Sequence, residues 1–311
     1  MKRIAFLSSL SPFGKLLLLF GTVLLFAIVS ALGGLLAGML LFNASFAELA
    51  SYISNPVTAK AVSFIKYYQL VNQIGIFILP ALFFSFLVSN NSVAYLAMGN
   101  APKLISILVG GLIIYAILPF NNYLDELNRQ MSLPEFLSGV EEWMMDKEFQ
   151  AKKLTTVFLQ TNTIGGLLIN IVIVALVPAI GEELLFRGVL IKLFNQMTKN
   201  IHIAILISSI IFSAIHLQFY GFLPRLMLGM VLGYLFVFTG NIWIPIFVHF
   251  LNNASSAIVY YLHHNGHIKV AMEDFGSSSN TVYIIGSLLI TLWLMSIIYQ
   301  KEGADRFNIS D

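Results

Sequence analysis

Two adjacent carboxylates, Glu182 and Glu183, stand in the stretch VPAIGEELLFRGVL, and no other acidic side chain occurs between Gln150 and Met272. A charge at bilayer depth costs at least about 2.5 kcal/mol on insertion scales, so it usually faces a bundle interior or an aqueous cavity and serves a purpose there. Glu183 and Arg187 are spaced i, i+4, so on a continuing helix they share a face and can pair. Glu182 is turned by roughly 100° and can point elsewhere. The pair therefore divides into a braced carboxylate and a free one. Spacing alone equally admits an interfacial helix start, with both acids favoured by the helix dipole and Arg187 snorkelling. Pro178 and Gly181, just upstream, can kink or break the helix and expose backbone groups near the acids.

Two further i, i+4 pairs follow. FSAIH sets Phe212 and His216 on an apolar segment, and HFLNN sets His249 and Asn253 on another. Taken singly, His216 reads as a hydrogen-bonded packing residue, and His249 with Asn253 as interhelical glue. His202 reads as a residue at a helix entrance, and His263, His264 and His267 as an exposed loop or an adventitious metal site. Taken together, Glu182, Glu183, Arg187, His216, His249 and Asn253 come from three apolar segments that can converge at one depth. Hydrolysis needs that inventory: a carboxylate to take a proton from water, a histidine to orient the water or pass the proton, and donors for a tetrahedral oxyanion.

The elements that would have to position these residues are membrane helices. Of 311 residues, 58% are hydrophobic and 10% charged, and the net charge is +2 with no basic run, which excludes a nucleic-acid partner. The lipid bilayer is the solvent for most of the chain. Cysteine is absent, so disulfides, thiolate catalysis, prenylation and cysteine-rich zinc sites are excluded. The run from Leu16 to Phe42 is longer than the roughly 7 to 15 residues of a signal-peptide core and reads as a retained membrane helix.

A span needs about 20 apolar residues. On that basis the chain reads as an all-α, polytopic integral membrane protein with about eight transmembrane helices. They fall near 16–42, 68–88, 103–120, 162–180, 201–217, 222–239, 242–262 and 281–299. Lys2, Arg3 and Lys15 favour a cytoplasmic N-terminus, and Lys301 and Arg306 would return to the same side. Residues 121–161 hold most of the remaining acids, with Leu137, Trp143 and Met144 among them. They read as partly amphipathic helix, serving as a lid, an interfacial helix or a plain connector. Gly34 with Gly38, and Gly229 with Gly233, mark close helix approaches.

The three motifs EExxxR (Glu182, Glu183, Arg187), FxxxH (Phe212, His216) and HxxxN (His249, Asn253), in this order on successive apolar segments, resemble the CPBP family of intramembrane proteases. That family includes CAAX prenyl endopeptidases and bacteriocin-processing or self-immunity proteins. The resemblance covers about residues 160–262. It divides the chain into an N-terminal membrane region of three helices and a long polar loop (1–160), a protease core (161–262), and a loop, last helix and tail (263–311). It implies a multi-helix fold with a cavity open to the membrane, in which a peptide bond of a membrane-associated or C-terminal peptide is hydrolysed. Glu182 would activate water together with His216, His249 and Asn253 would stabilise the oxyanion, and Glu183 and Arg187 would brace the site.

No cofactor is favoured by this reading. Zinc held by Glu182, His216 and His249 is the alternative, since two histidines and a glutamate leave an open position. Against zinc stand the missing HExxH helix and the scarcity of carboxylates that would orient zinc-bound histidines. A bacterial inner membrane is the expected setting, and nothing in the sequence reads a prenylated substrate. Rival functions are a non-catalytic immunity or scaffold protein, binding through residues 121–161, and a proton-coupled transporter using Glu182, Glu183 and His216 as a relay.

Overall fold

The computed structural model describes residues 5–302, and within them every regular element is a helix. Lys2, Arg3 and Arg306, on which part of the expected orientation rests, lie outside the described residues. Helix α1 (Pro12–Leu41) begins where Ser11 accepts from the Gly14 amide and Pro12 takes the first helical position, where its missing N–H costs nothing. Phe20, Leu24, Leu36 and Leu40 are exposed along it, as a lipid-facing helix requires. A short α2 (Phe46–Ser54) is started by a capping box between Ser45 and Glu48. Helix α3 (Ala59–Val88) contains a π-turn at Ile74–Ile78.

Helix α4 (Leu104–Ala116) bends by 42° into α5 (Leu118–Arg129), and α6 (Ser138–Leu159) follows. Then come α7 (Ile164–Thr198), α8 (Ile201–Ala214), α9 (Phe222–Thr239), α10 (Trp243–His264) and α11 (Thr281–Glu302). The turn between α9 and α10 closes at Gly240, whose φ of 58° is the left-handed cap conformation that glycine adopts without penalty.

Five helices, α1, α3, α7, α9 and α11, are long and apolar enough to cross a membrane, and six if the bent α4–α5 pair is one span. The chain is thus a multi-pass integral membrane protein, and the expected count of about eight is not confirmed among the described residues. Two segments account for the shortfall. Helix α8 has 14 residues, about 21 Å at 1.5 Å per residue, against a hydrocarbon core of about 30 Å. Helix α10 is long enough but carries His249, Asn252, Asn253, Ser255 and Ser256, which dilute its apolar character. Residues 121–161 are largely helical: α5 continues to Arg129, and α6 lies beside the turn after α8 through Trp143 and Phe219, 5.2 Å between ring centres.

Of three apolar clusters, the third built around Leu49, Phe64 and Phe158, the two largest hold the helices of the candidate site. One joins α1, α3, α7 and α8 through Leu19, Phe84, Phe186, Ile205 and Phe212. The other joins α4, α9, α10 and α11 through Ile113, Leu232, Val248 and Ile298. Close approach depends on the expected glycines. A Cβ on Gly38 would stand 2.7 Å from the Phe64 ring, and one on Gly233 would stand 2.8 Å from Ile205. Between apolar helices in lipid, this van der Waals fit is the main attraction, because leaving lipid for protein gains little hydrophobic energy.

Candidate active site

Helix α7 runs unbroken through the acidic pair. Pro178 is absorbed directly after a π-turn at Val172–Leu176, and a second π-turn at Phe186–Leu190 carries Arg187. The pair is therefore not an interfacial helix start: Glu182 is 7% exposed, Glu183 0% and Arg187 1%. Pro178 has no N–H to give the carbonyl four residues back, that of Val174. The Asn253 amide reaches that carbonyl from α10 at 3.4 Å.

Glu183 and Arg187 pair at 2.8 Å, as their i, i+4 spacing requires. The same Glu183 oxygen, Oε1, faces His249 Nδ1 at 2.8 Å, and Arg187 also donates to the Gly229 carbonyl at 3.0 Å. Glu183 thus braces an arginine and a histidine together and ties α7 to α9 and α10. An ionised carboxylate only accepts, so His249 Nδ1 carries its proton toward Glu183 and its Nε2 is turned to Glu182, 3.8 Å from Oε2.

Glu182 is not the free carboxylate that spacing suggests. Its Oε1 accepts from the side-chain amide of Gln73 on α3 at 2.9 Å, both residues being buried. Sequence reasoning missed Gln73. The only signal was an amide at the edge of the apolar run Ile74–Val88, 109 residues before Glu182.

His216 also differs from expectation. Helix α8 ends at Ala214, and His216 stands in the turn just beyond it. Its Nδ1 lies 2.8 Å from the Phe212 carbonyl, one of the orphan acceptors at the helix end. A carbonyl cannot donate, so Nδ1 bears the proton and Nε2 keeps its lone pair. His216 lies within electrostatic reach of both Glu182 and His249.

Phe212 gathers the site. Its ring meets those of His216 at 5.2 Å, His249 at 5.9 Å and Phe186 at 5.3 Å, each edge to face. The Arg187 guanidinium lies 4.9 Å from its centre. The phenylalanine of the FxxxH motif is thus the apolar wall against which both histidines and the arginine are set.

The structure joins Glu182, Glu183, Arg187 and His249 directly and brings His216 close. It leaves Asn253 one turn from His249 but bonded to α7 backbone. The His202 ring meets Tyr234, away from this group.

Both site histidines have orienting partners, but only one of these is a carboxylate, that of Glu183, and the other is the Phe212 carbonyl. Among the described residues no group of three His, Asp or Glu side chains stands close enough together to hold a metal ion.

Comparison with known proteins agrees with the expectation drawn from the three motifs. Residues 164–255 match the family model described as "Type II CAAX prenyl endopeptidase Rce1-like". "Putative membrane peptidase YdiL" of Bacillus subtilis (strain 168) is 31% identical over 98 residues, 32% of this chain and 40% of that protein. "Uncharacterized protein YpbD" of the same organism is 32% identical over 89 residues, 27% of this chain and 42% of that protein. The chain spans about two fifths of the length of these relatives. No solved structure matches it. The stretch from residue 164 to residue 255, in which all the candidate residues stand, is the part of the chain that is similar to the Rce1-like family.

Proposed function

We propose that the chain is an intramembrane endopeptidase that hydrolyses a peptide bond of a membrane-associated peptide, in a bacterial cytoplasmic membrane, with water as the nucleophile and no metal. The observation that carries this reading is the environment of Glu182. It is a buried carboxylate with one oxygen held by an amide and the other facing His249 Nε2, inside a segment of a peptidase family.

In this reading the Glu182 carboxylate takes a proton from a water that His216 Nε2 holds by its other hydrogen. The water oxygen attacks the scissile carbonyl carbon, and the carbonyl π electrons move onto its oxygen. His249 Nε2–H, its charge supported by Glu183 through Nδ1, donates to that oxyanion. Asn253 is the second donor once its long bond to the Val174 carbonyl is given up to substrate. As the intermediate collapses the C–N bond breaks, and the leaving nitrogen takes the proton from the Glu182 carboxyl, which regenerates the carboxylate.

The test compares the membrane peptides of cells carrying wild type with those of cells carrying Glu182→Gln, followed by turnover of the accumulating peptides by purified protein. Glu182→Gln and His216→Ala are each expected to lose about 10²- to 10⁴-fold in turnover while the folded protein remains abundant. Turnover that continues unchanged in both variants rejects the reading. Activity lost to a strong chelator and restored by zinc alone rejects its metal-free part.

A further inference from the structure

Among the described residues, the acidic pair receives one side chain from outside the family segment, the amide of Gln73. The geometry points to Gln73 as the positioning residue of Glu182. It fixes the plane of the carboxylate through Oε1 and leaves Oε2 as the oxygen that takes the proton from water. This assignment rests on the hydrolytic reading of the site.

Three observations support it. Gln73 is buried, 7% exposed, and its Nε2 donates to Glu182 Oε1 at 2.9 Å. A hydrogen bond to an ionised partner is roughly twice as strong as a neutral one, and a buried carboxylate oxygen left without a donor is costly. Gln73 is therefore a defined partner of the carboxylate as well as a packed residue.

The two glutamates are also treated differently. Glu183 is given the fixed cation Arg187, whereas the one basic group within ion-pair distance of Glu182 among the described residues is the His249 ring, its Nε2 3.8 Å from Oε2. A neutral amide orients a carboxylate without cancelling its charge. That is what a proton acceptor requires, and a fixed guanidinium would spend that charge in a salt bridge.

Finally, the chain is built so that α3 can come this close. Phe77 stands one turn beyond Gln73, in the π-turn, and a Cβ on Gly181 would lie 2.9 Å from the Phe77 Cβ and 3.1 Å from Ile78. Neither contact is with the far end of a flexible side chain, so any residue larger than glycine at 181 pushes α3 from α7. Glycine next to Glu182 thereby sets the distance that the Gln73 amide spans. Residue 73 lies well before residue 164, where the match to the family model begins, so the family segment by itself lacks this donor.

The experiment uses the full chain in lipid nanodiscs, with peptides identified from the wild-type and Glu182→Gln comparison. Gln73→Met keeps length and volume and removes the donor. Gln73→Asn, a milder change, withdraws the donor by one methylene and serves if Gln73→Met does not fold. Each is expected to lower kcat about 10- to 100-fold, the range for one hydrogen bond to a charged group, with KM within about twofold.

The second readout is the infrared carboxylate stretch of Glu182, assigned by its loss in Glu182→Gln. It is expected to shift in Gln73→Met and, in the same direction, in Gly181→Ala. An unmoved band, or full kcat in both Gln73 variants of an active protein, overturns the assignment alone. A rise in KM at constant kcat overturns it too, since Gln73 would then contact substrate. A wild-type protein that cleaves no peptide sinks the hydrolytic reading, and the positioning role with it.

Discussion

Glu182 and Glu183 share a peptide bond and the two nitrogens of the His249 ring, and differ in their other partners. Glu183 is enclosed with Arg187 and His249, so it belongs to a buried ionic group whose members cannot be removed singly without stranding a charge. Removing one partner of such a group costs about 3–5 kcal/mol. Arg187→Ala is therefore expected to lower unfolding stability in detergent by about that amount, whereas Glu182→Gln should change it by less than about 1 kcal/mol while lowering turnover about 10²- to 10⁴-fold. Equal losses of stability in the two variants would contradict this division. The pairing of Glu183 with Arg187 was legible in the sequence, because i, i+4 spacing allows it. The second task of Glu183 on His249, the partner of Glu182 and the place of His216 beyond the end of its helix were not. Each depends on a contact between distant segments, and local periodicity records only what one helix does to itself.

At the scale of elements, glycines decide which helices touch. Gly233 faces Ile205 with no room for a Cβ, whereas an added Cβ on Gly21 meets nothing within 4 Å. Gly233→Leu is expected to abolish accumulation of folded protein, and Gly21→Leu to leave it unchanged, as read by size-exclusion profile and thermal unfolding. A profile for Gly233→Leu that matches wild type would show that this approach is not needed. The spacing of the small residues announced these contacts. The number of spans was harder to read, because apolar composition does not separate a helix that crosses lipid from one that is merely covered by others. Helix α8 is apolar but short, and α10 is long but made polar by His249, two asparagines and two serines. The bend between α4 and α5 was equally hidden, since 103–120 reads as one run and Pro119 falls near its end.

At the scale of the whole molecule, the acidic pair depends on more than the 164–255 segment. Phe186 and Phe212 pack in one cluster with Leu19 of α1 and Phe84 of α3, and Val248 packs in the other with Ile113 of α4 and Ile298 of α11. Expressed alone, residues 161–262 lose both sets of neighbours and Gln73. They are expected to give neither a monodisperse protein nor peptide turnover. Turnover by that fragment at the rate of the full chain would show the flanking helices to be dispensable. The far end of the molecule is fastened in a similar way: Glu302, buried at the end of α11, holds Ser106 and Lys103 of the α4 region.

The wide turns in α7 have a consequence for chain length. A π-turn encloses one residue more than an α-turn, so Val172–Leu176 holds a surplus residue. Losing one residue there lets the turn relax to an ordinary one, with the helix on either side still facing its present neighbours. The same loss between Gly181 and Leu185 is taken up only at the second π-turn, Phe186–Leu190, so the side chains ahead of that relaxation, Arg187 among them, turn by about 100°. Arg187 would then face away from α9. The length of α7 is elastic just before the acidic pair and rigid within it.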